Sequence, residues 1–144
     1  MREILFRAKR ITNGEWVTGS LLVWPDGQME ICTSTSSEET QMDKLTVHPE
    51  TVGQFTGLTD KNGTKIFEGD ILQYYDDEIQ VVEWSNEWAR IMLHTYGDCE
   101  RKQGRKTIKV KHEGWNDLDD YPLDNMPILG NIHDNPELIE RWRP

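Results

Sequence analysis

The sequence predicts a mainly β fold: a small, partly closed pseudo-barrel of short antiparallel strands with a short C-terminal helix. Three features lead to this expectation. Apolar residues recur with a period of two in short runs, Gly, Asn, Asp and Pro break the chain at close intervals, and only one convincing helix start is present.

The elements follow in order. Ile4, Phe6 and Ala8 alternate with Glu3, Leu5, Arg7 and Lys9, and Asn13-Gly14 supplies a tight turn into a strand from Trp16 to Trp24. Pro25-Asp26-Gly27 turns the chain again, and Gln28 to Cys32 reads as a third strand. The polar run from Thr33 to Thr40 reads as a mobile loop. Strands are expected over Val52–Thr56, from Ile66, over Ile71–Tyr75, over Ile79–Trp84 and over Trp88–His94. Asp60-Lys61-Asn62-Gly63 and Asp76-Asp77-Glu78 provide turns between them. A loop is expected from Thr95 to Gly104, an alternating strand from Arg105 to Lys111, an acidic loop from Trp115 to Asn125 and a closing strand from Pro127 to Ile132. Asn135-Pro136-Glu137 places an N-cap candidate, a proline and an acid in helix-start order, with the helix ending near Trp142.

At 144 residues the chain fits a single domain spanning 1–144, with variable loops at 33–46 and 95–125. Sixteen basic against 26 acidic side chains give a net charge of −10, which favours solubility and cationic partners and opposes approach to phosphate polyanions. Two cysteines, Cys32 and Cys99, with no secretory leader in the opening residues, fit a reducing cytoplasm. No apolar run approaches the roughly 20 residues that span a bilayer.

Four segments together resemble the YopX family of phage and prophage proteins. The first pairs Phe6-Arg7-Ala8-Lys9 with Gly14-Glu15-Trp16-Val17, and the second runs from Pro49 to Gly57. The third runs from Asp60 to Ile71 and the fourth from Gly130 to Leu138. The resemblance implies a helix-capped pseudo-barrel, somewhat like PRC-barrel folds, of phage or prophage origin, so the cytoplasm expected from the cysteines is that of a bacterial host. It brings no established activity, cofactor or catalytic residue.

Candidate chemistry is sparse. Asp60, Asn62 and Gly63 suggest a calcium loop, but an EF-hand needs glycine at position six and glutamate at twelve, and here Gly63 and Glu68 fall at four and nine. They are expected to form a structural turn, and Glu68, Gly69 and Asp70 a strand corner. Gly57 to Lys65 lacks the lysine directly after the second glycine that a phosphate loop requires. His94, Cys99 and His112 lack paired metal-ligand spacing, and Asp117, Asp119, Asp120 and Asp124 read as a solvated acidic loop. No catalytic residue, metal or cofactor is expected.

The binding candidates are Arg105, Lys109 and Lys111, which alternation sets on one face of a strand with Ile108 and Val110 on the other. The expected function is therefore a non-enzymatic module for an unidentified protein partner, with homo-oligomerisation open and nucleic acid disfavoured. Nucleic-acid or anionic-ligand binding by the basic strand is one alternative, and a small hydrolase or nuclease using Glu68 and Asp70 is the other.

Overall fold

A computed structural model describes residues 2–34 and 42–142. The mainly β expectation with one short terminal helix holds. Among the described residues the strands form two antiparallel sheets, and neither sheet closes on itself as a barrel. The chain divides into two compact units between Gly57 and Leu58.

In the first unit, β1 (Phe6–Lys9), β2 (Trp16–Val23), β3 (Met29–Ser34), β4 (Met42–Val47) and β5 (Gly53–Thr59) line up in the order β4-β3-β2-β1-β5. β5 carries the chain across the unit boundary. The Asn13-Gly14 hairpin sets Lys9 opposite Trp16 and Phe6 opposite Gly19. Ala8, Ile31 and Val47 form the buried centre, with Phe6, Val17, Leu21, Met29 and Val52 packed around them. β4 corrects the expected loop over 33–46, which hid it behind Asp43 and Lys44. Pairing with β3 forms this strand, and Val47 anchors it in the core. The rest of the polar run, residues 35–41, lies outside the described residues.

The second unit contains β6 (Lys65–Phe67), β7 (Asp70–Leu72), β8 (Glu78–Ser85), β9 (Arg90–Gln103), β10 (Lys106–Asn116), β11 (Ile128–Asn131) and the helix α1 (Glu137–Glu140). Five of these strands make one sheet in the order β10-β9-β8-β7-β11. Its β8–β9 centre is buried on both faces. Val82 and Leu93 join Ile66, Leu72, Leu123 and Met126, whereas Val81 and Tyr96 join Ile71, Ile79, Ile139 and Trp142. That explains why β8 is apolar at consecutive positions.

Several boundaries differ from expectation. Trp88 falls in the turn before β9, where Ala89 takes φ 54° and the Trp88 amide donates to Ser85 Oγ at 3.3 Å. β7 stops at Leu72, leaving Tyr74 and Tyr75 exposed. The expected loop over 95–104 is strand, because β9 and β10 pair continuously from Leu93–Asn116 to Gln103–Lys106. Beyond Asp98 neither face of this hairpin is covered, so no apolar period marks its first strand, while the alternation expected over Arg105–Lys111 is found in β10. The 115–125 segment begins as strand and continues through 3-10 turns at Leu118–Asp120 and Leu123–Asn125. Asn135 does not cap α1. Pro136 holds that position, and the Asn135 carboxamide oxygen instead accepts from the Asn131 amide at 3.2 Å. No helix of the described residues is long and apolar enough to cross a membrane.

Candidate functional site

The most distinctive feature of the second unit is the outer half of the β9–β10 hairpin. β8 pairs with β9 only as far as Gly97, opposite Glu78, and a last backbone bond joins Asp98 to Asp77 at 2.8 Å. From Cys99 onward β9 has only β10 beside it, and β10 is the sheet edge. The outcome is a two-stranded ribbon turning at Gly104-Arg105, with every residue from Glu100 to Lys109 exposed. Five residues of extended strand carry it about 16 Å beyond the sheet.

Six of the chain's sixteen basic residues fall on Cys99–Lys111 with one acid, Glu100. Register decides which of them are locally compensated. Lys109 stands opposite Glu100, and Lys111 stands opposite Asp98 and donates to the carbonyl of Arg141. Arg101, Lys102 and Lys106 face Ile108, Thr107 and Gln103, none of them acidic, and Arg105 sits in the turn. The cationic centre is therefore the ribbon tip of Arg101, Lys102, Arg105 and Lys106. Of the sequence candidates, Arg105 belongs to this tip but lies outside the strand, while Lys109 and Lys111 lie on its acid-matched stem. Sequence reasoning missed Arg101, Lys102 and Lys106 because the segment 95–104 read as loop. The signal was present in the charge run itself.

At the ribbon's root Arg141 donates from Nη2 to Asp98 Oδ2 at 3.0 Å, and its guanidinium lies 4.0 Å over the Trp142 ring. Arg141, already paired with Asp98, also lines a half-open depression of about 240 Å³. Ile79, Leu129, Leu138 and Trp142 give it an apolar lining, and Asp76 and Glu137 add two exposed carboxylates.

The Asp60 segment has its acceptors committed. Asp60 Oδ1 accepts from the amides of Asn62 at 2.8 Å and Thr64 at 2.9 Å, and Oδ2 from that of Ile128 at 3.3 Å. Burial pushes this carboxyl's pKa up, but the amides of Thr64, Asn62 and Ile128 together outweigh it and hold the group below its usual range. Gly63 completes the turn at φ 77°. At the next corner Gly69 sits at φ 93°, and buried Asp70 accepts from the Phe67 amide at 2.8 Å. Glu68 stands between these corner residues and β6.

Elsewhere His94, Cys99 and His112 do not converge. His94 and Cys99 lie on opposite faces of β9, and His112, opposite Gly97, shares the face of Cys99. His94 joins a cluster that the sequence did not reveal. Its Nδ1 lies 2.7 Å from Glu83 and 2.8 Å from the Tyr96 hydroxyl, its Nε2 lies 3.1 Å from Glu113, and its ring stacks on Trp115 at 4.1 Å. Both nitrogens are engaged by neighbours, so the arrangement orients an imidazole and leaves no open ligand position on it. Only the three-strand register brings these residues together. The ligand oxygens of Asp117, Asp119 and Asp120 lie within 4.8 Å of one another. Asp117 is paired with Arg90 at 2.5 Å, and Asp117 and Asp120 form a capping box, which accounts for the cluster locally.

A family model described as YopX protein matches residues 5–140. No curated protein matches the chain. Among solved structures, a crystal structure of protein EF1440 from Enterococcus faecalis is similar, with 24% identity and a TM-score of 0.45 over 97% of this chain and 100% of that one.

Proposed function

We propose that this chain, which belongs to the YopX family, is a non-enzymatic binding module that presents its cationic ribbon tip to an acidic protein surface. Its setting is that of a phage or prophage accessory in a bacterial cytoplasm. The observation that carries the reading is the ribbon: four exposed cations, Arg101, Lys102, Arg105 and Lys106, on a two-stranded arm of a protein whose net charge is −10. At physiological salt the Debye length is about 8 Å, so a tip some 16 Å beyond the sheet is largely screened from the acidic body behind it. Such an arrangement steers encounter and fixes orientation more than it adds affinity.

Hydrolysis has less support. The buried Asp70 carboxylate is engaged by the Phe67 amide, and neither it nor Glu68 lies beside a nucleophile in the sequence. Divalent-dependent cleavage of DNA or RNA, lost in Glu68→Gln or Asp70→Asn, is the result that would contradict the non-enzymatic reading.

A second reading is favoured by shape. A two-stranded ribbon is one of the elements that fits the roughly 12 Å major groove of duplex DNA. Fluorescence anisotropy separates the two, using labelled poly-L-glutamate and a labelled short duplex. The polypeptide is expected to bind, to weaken steeply with salt, and to be lost when Arg101, Lys102, Arg105 and Lys106 become glutamate. Binding to neither probe, or binding indifferent to those substitutions, overturns the ribbon as the contacting element. Tighter binding to the duplex transfers the assignment to nucleic acid.

A further inference from the structure

The geometry points to a specific acidic surface for the ribbon: the depression beside α1 on a second copy of this chain, with two copies exchanging ribbons. This rests on the reading of the ribbon as the contacting element and names its partner. The depression has the chemistry a lysine or arginine side chain needs. Ile79, Leu129, Leu138 and Trp142 cover an aliphatic stem, and Asp76 and Glu137 stand where a cationic head would emerge. Asp77, next in the chain after Asp76, is exposed as well.

The ribbon of the same molecule does not fill this site. Asp98 and Lys111 tie its root to Arg141, and the tip lies about 16 Å farther along an extended pair of strands. Donor and acceptor surfaces nevertheless sit side by side within one unit, joined at Arg141. One two-fold axis between two copies therefore sets each tip at the other's depression, giving a closed, isologous pair instead of an open chain. Exposed charges and a small apolar lining make the contact weak and salt-sensitive.

The experiment uses sedimentation velocity on the full chain and two charge-reversed variants. One carries Arg101→Glu, Lys102→Glu, Arg105→Glu and Lys106→Glu, and the other carries Asp76→Lys and Glu137→Lys. All six positions are exposed, so the folds are expected to survive, and circular dichroism checks this. The wild type is expected to sediment at twice the monomer mass at low salt and as monomer at high salt. Each variant alone is expected to be monomeric at low salt, because like charges then meet at both contacts. Mixed in equal amounts the two are expected to regain the dimer, since each reversed surface finds its complement on the other. A wild-type monomer at all salts, a dimer that persists in either variant alone, or a mixture that stays monomeric overturns the exchange. Ribbon-dependent binding of poly-L-glutamate by a wild type that stays monomeric defeats only the self-partner. Loss of both results defeats the ribbon reading as well.

Discussion

The Asp60–Asp70 corner and the Cys99–Lys111 ribbon lie in the same unit, and they are built on opposite principles. In the corner almost every polar group is spent internally: one carboxylate accepts three backbone amides, a second accepts the Phe67 amide, and the Gly69 carbonyl accepts from Ile132 at 2.9 Å. In the ribbon the side chains from Glu100 to Lys109 are exposed, and strand pairing alone holds the backbone. The difference separates residues that specify the fold from residues free to specify a partner. Polar groups committed to neighbouring amides are unavailable to a ligand, whereas exposed cations without acidic neighbours across the strand are available to one.

The largest expected effect is at Asp60. Asp60→Ala leaves three amides without their acceptor in a part-buried setting, and is expected to cost on the order of 3 kcal/mol in urea unfolding. Asp60→Asn is expected to cost less, because its carbonyl still serves Asn62 and Thr64 while its NH2 meets the Ile128 amide donor to donor. A change near zero in the alanine variant would erase the contrast between corner and ribbon.

Gly130 comes next. A Cβ there would sit 2.2 Å from Asn135 Oδ1, the atom that accepts from the Asn131 amide. Asn131 Oδ1 in turn accepts from His133 at 3.0 Å and Asp134 at 2.9 Å, so this turn anchors α1 to the sheet. Gly130→Ala is expected to lose roughly 1–3 kcal/mol through the forced shift. Gly63→Val is expected to lose a similar amount, since φ 77° is strained for a β-branched residue. Thermal melts check both, and an unchanged Tm in either contradicts the corresponding constraint.

Acid dependence sharpens the same point. Asp60 is held below its ordinary value of 3.8 in the folded state, so the unfolded chain takes up the proton first as pH falls. Its stabilisation is therefore complete above pH 3.8 and drains away as pH drops through the lower folded value. Asp60→Asn is expected to flatten unfolding curves in that window. Tyr121 works in the opposite direction at the alkaline end. Burial and its hydrogen bond to Glu78 raise it above 10.0, so its contribution is present below pH 10.0 and is lost as pH rises through the folded value. Tyr121→Phe is expected to remove that alkaline loss.

The legibility of each region follows from what encodes it. Asp60, Gly63, Gly69 and Asp70 were visible because turns are written locally, in residues that tolerate positive φ or accept nearby amides. The 3-10 turns and the β9 half of the ribbon were not. The first ribbon strand buries neither face, so no alternation records it, and only pairing across the Gly104 turn makes it strand, whereas the second was legible in the alternation over Arg105–Lys111. Charge survived this failure better than structure did. Arg105, Lys109 and Lys111 were ranked together as binding candidates because Glu100 and Asp98 oppose the two lysines only once register is known. The cluster around His94 was invisible for the same reason, since Glu83 comes from β8 and Glu113 and Trp115 from β10.

The smallest expected effect is the sharpest test of the comparison. Replacing Arg101, Lys102, Arg105 and Lys106 with glutamine should leave stability within about 0.5 kcal/mol per site of the wild type, the ordinary range for exposed positions away from packed features. The side chains at these positions are exposed, and their cross-strand neighbours are Ile108, Thr107 and Gln103, so no ion pair across the strand is broken. The exposed strand pairing depends on backbone bonds, which glutamine leaves in place. Removing positive charge makes the net −10 more negative and adds a little self-repulsion, which works weakly against the folded state and fades with salt. Urea unfolding at low and high salt checks this. A salt-independent loss comparable to that of Asp60→Ala would mean that the tip cations hold the fold together, and the distinction between scaffold and contact surface would fail at the place where it is drawn most strongly.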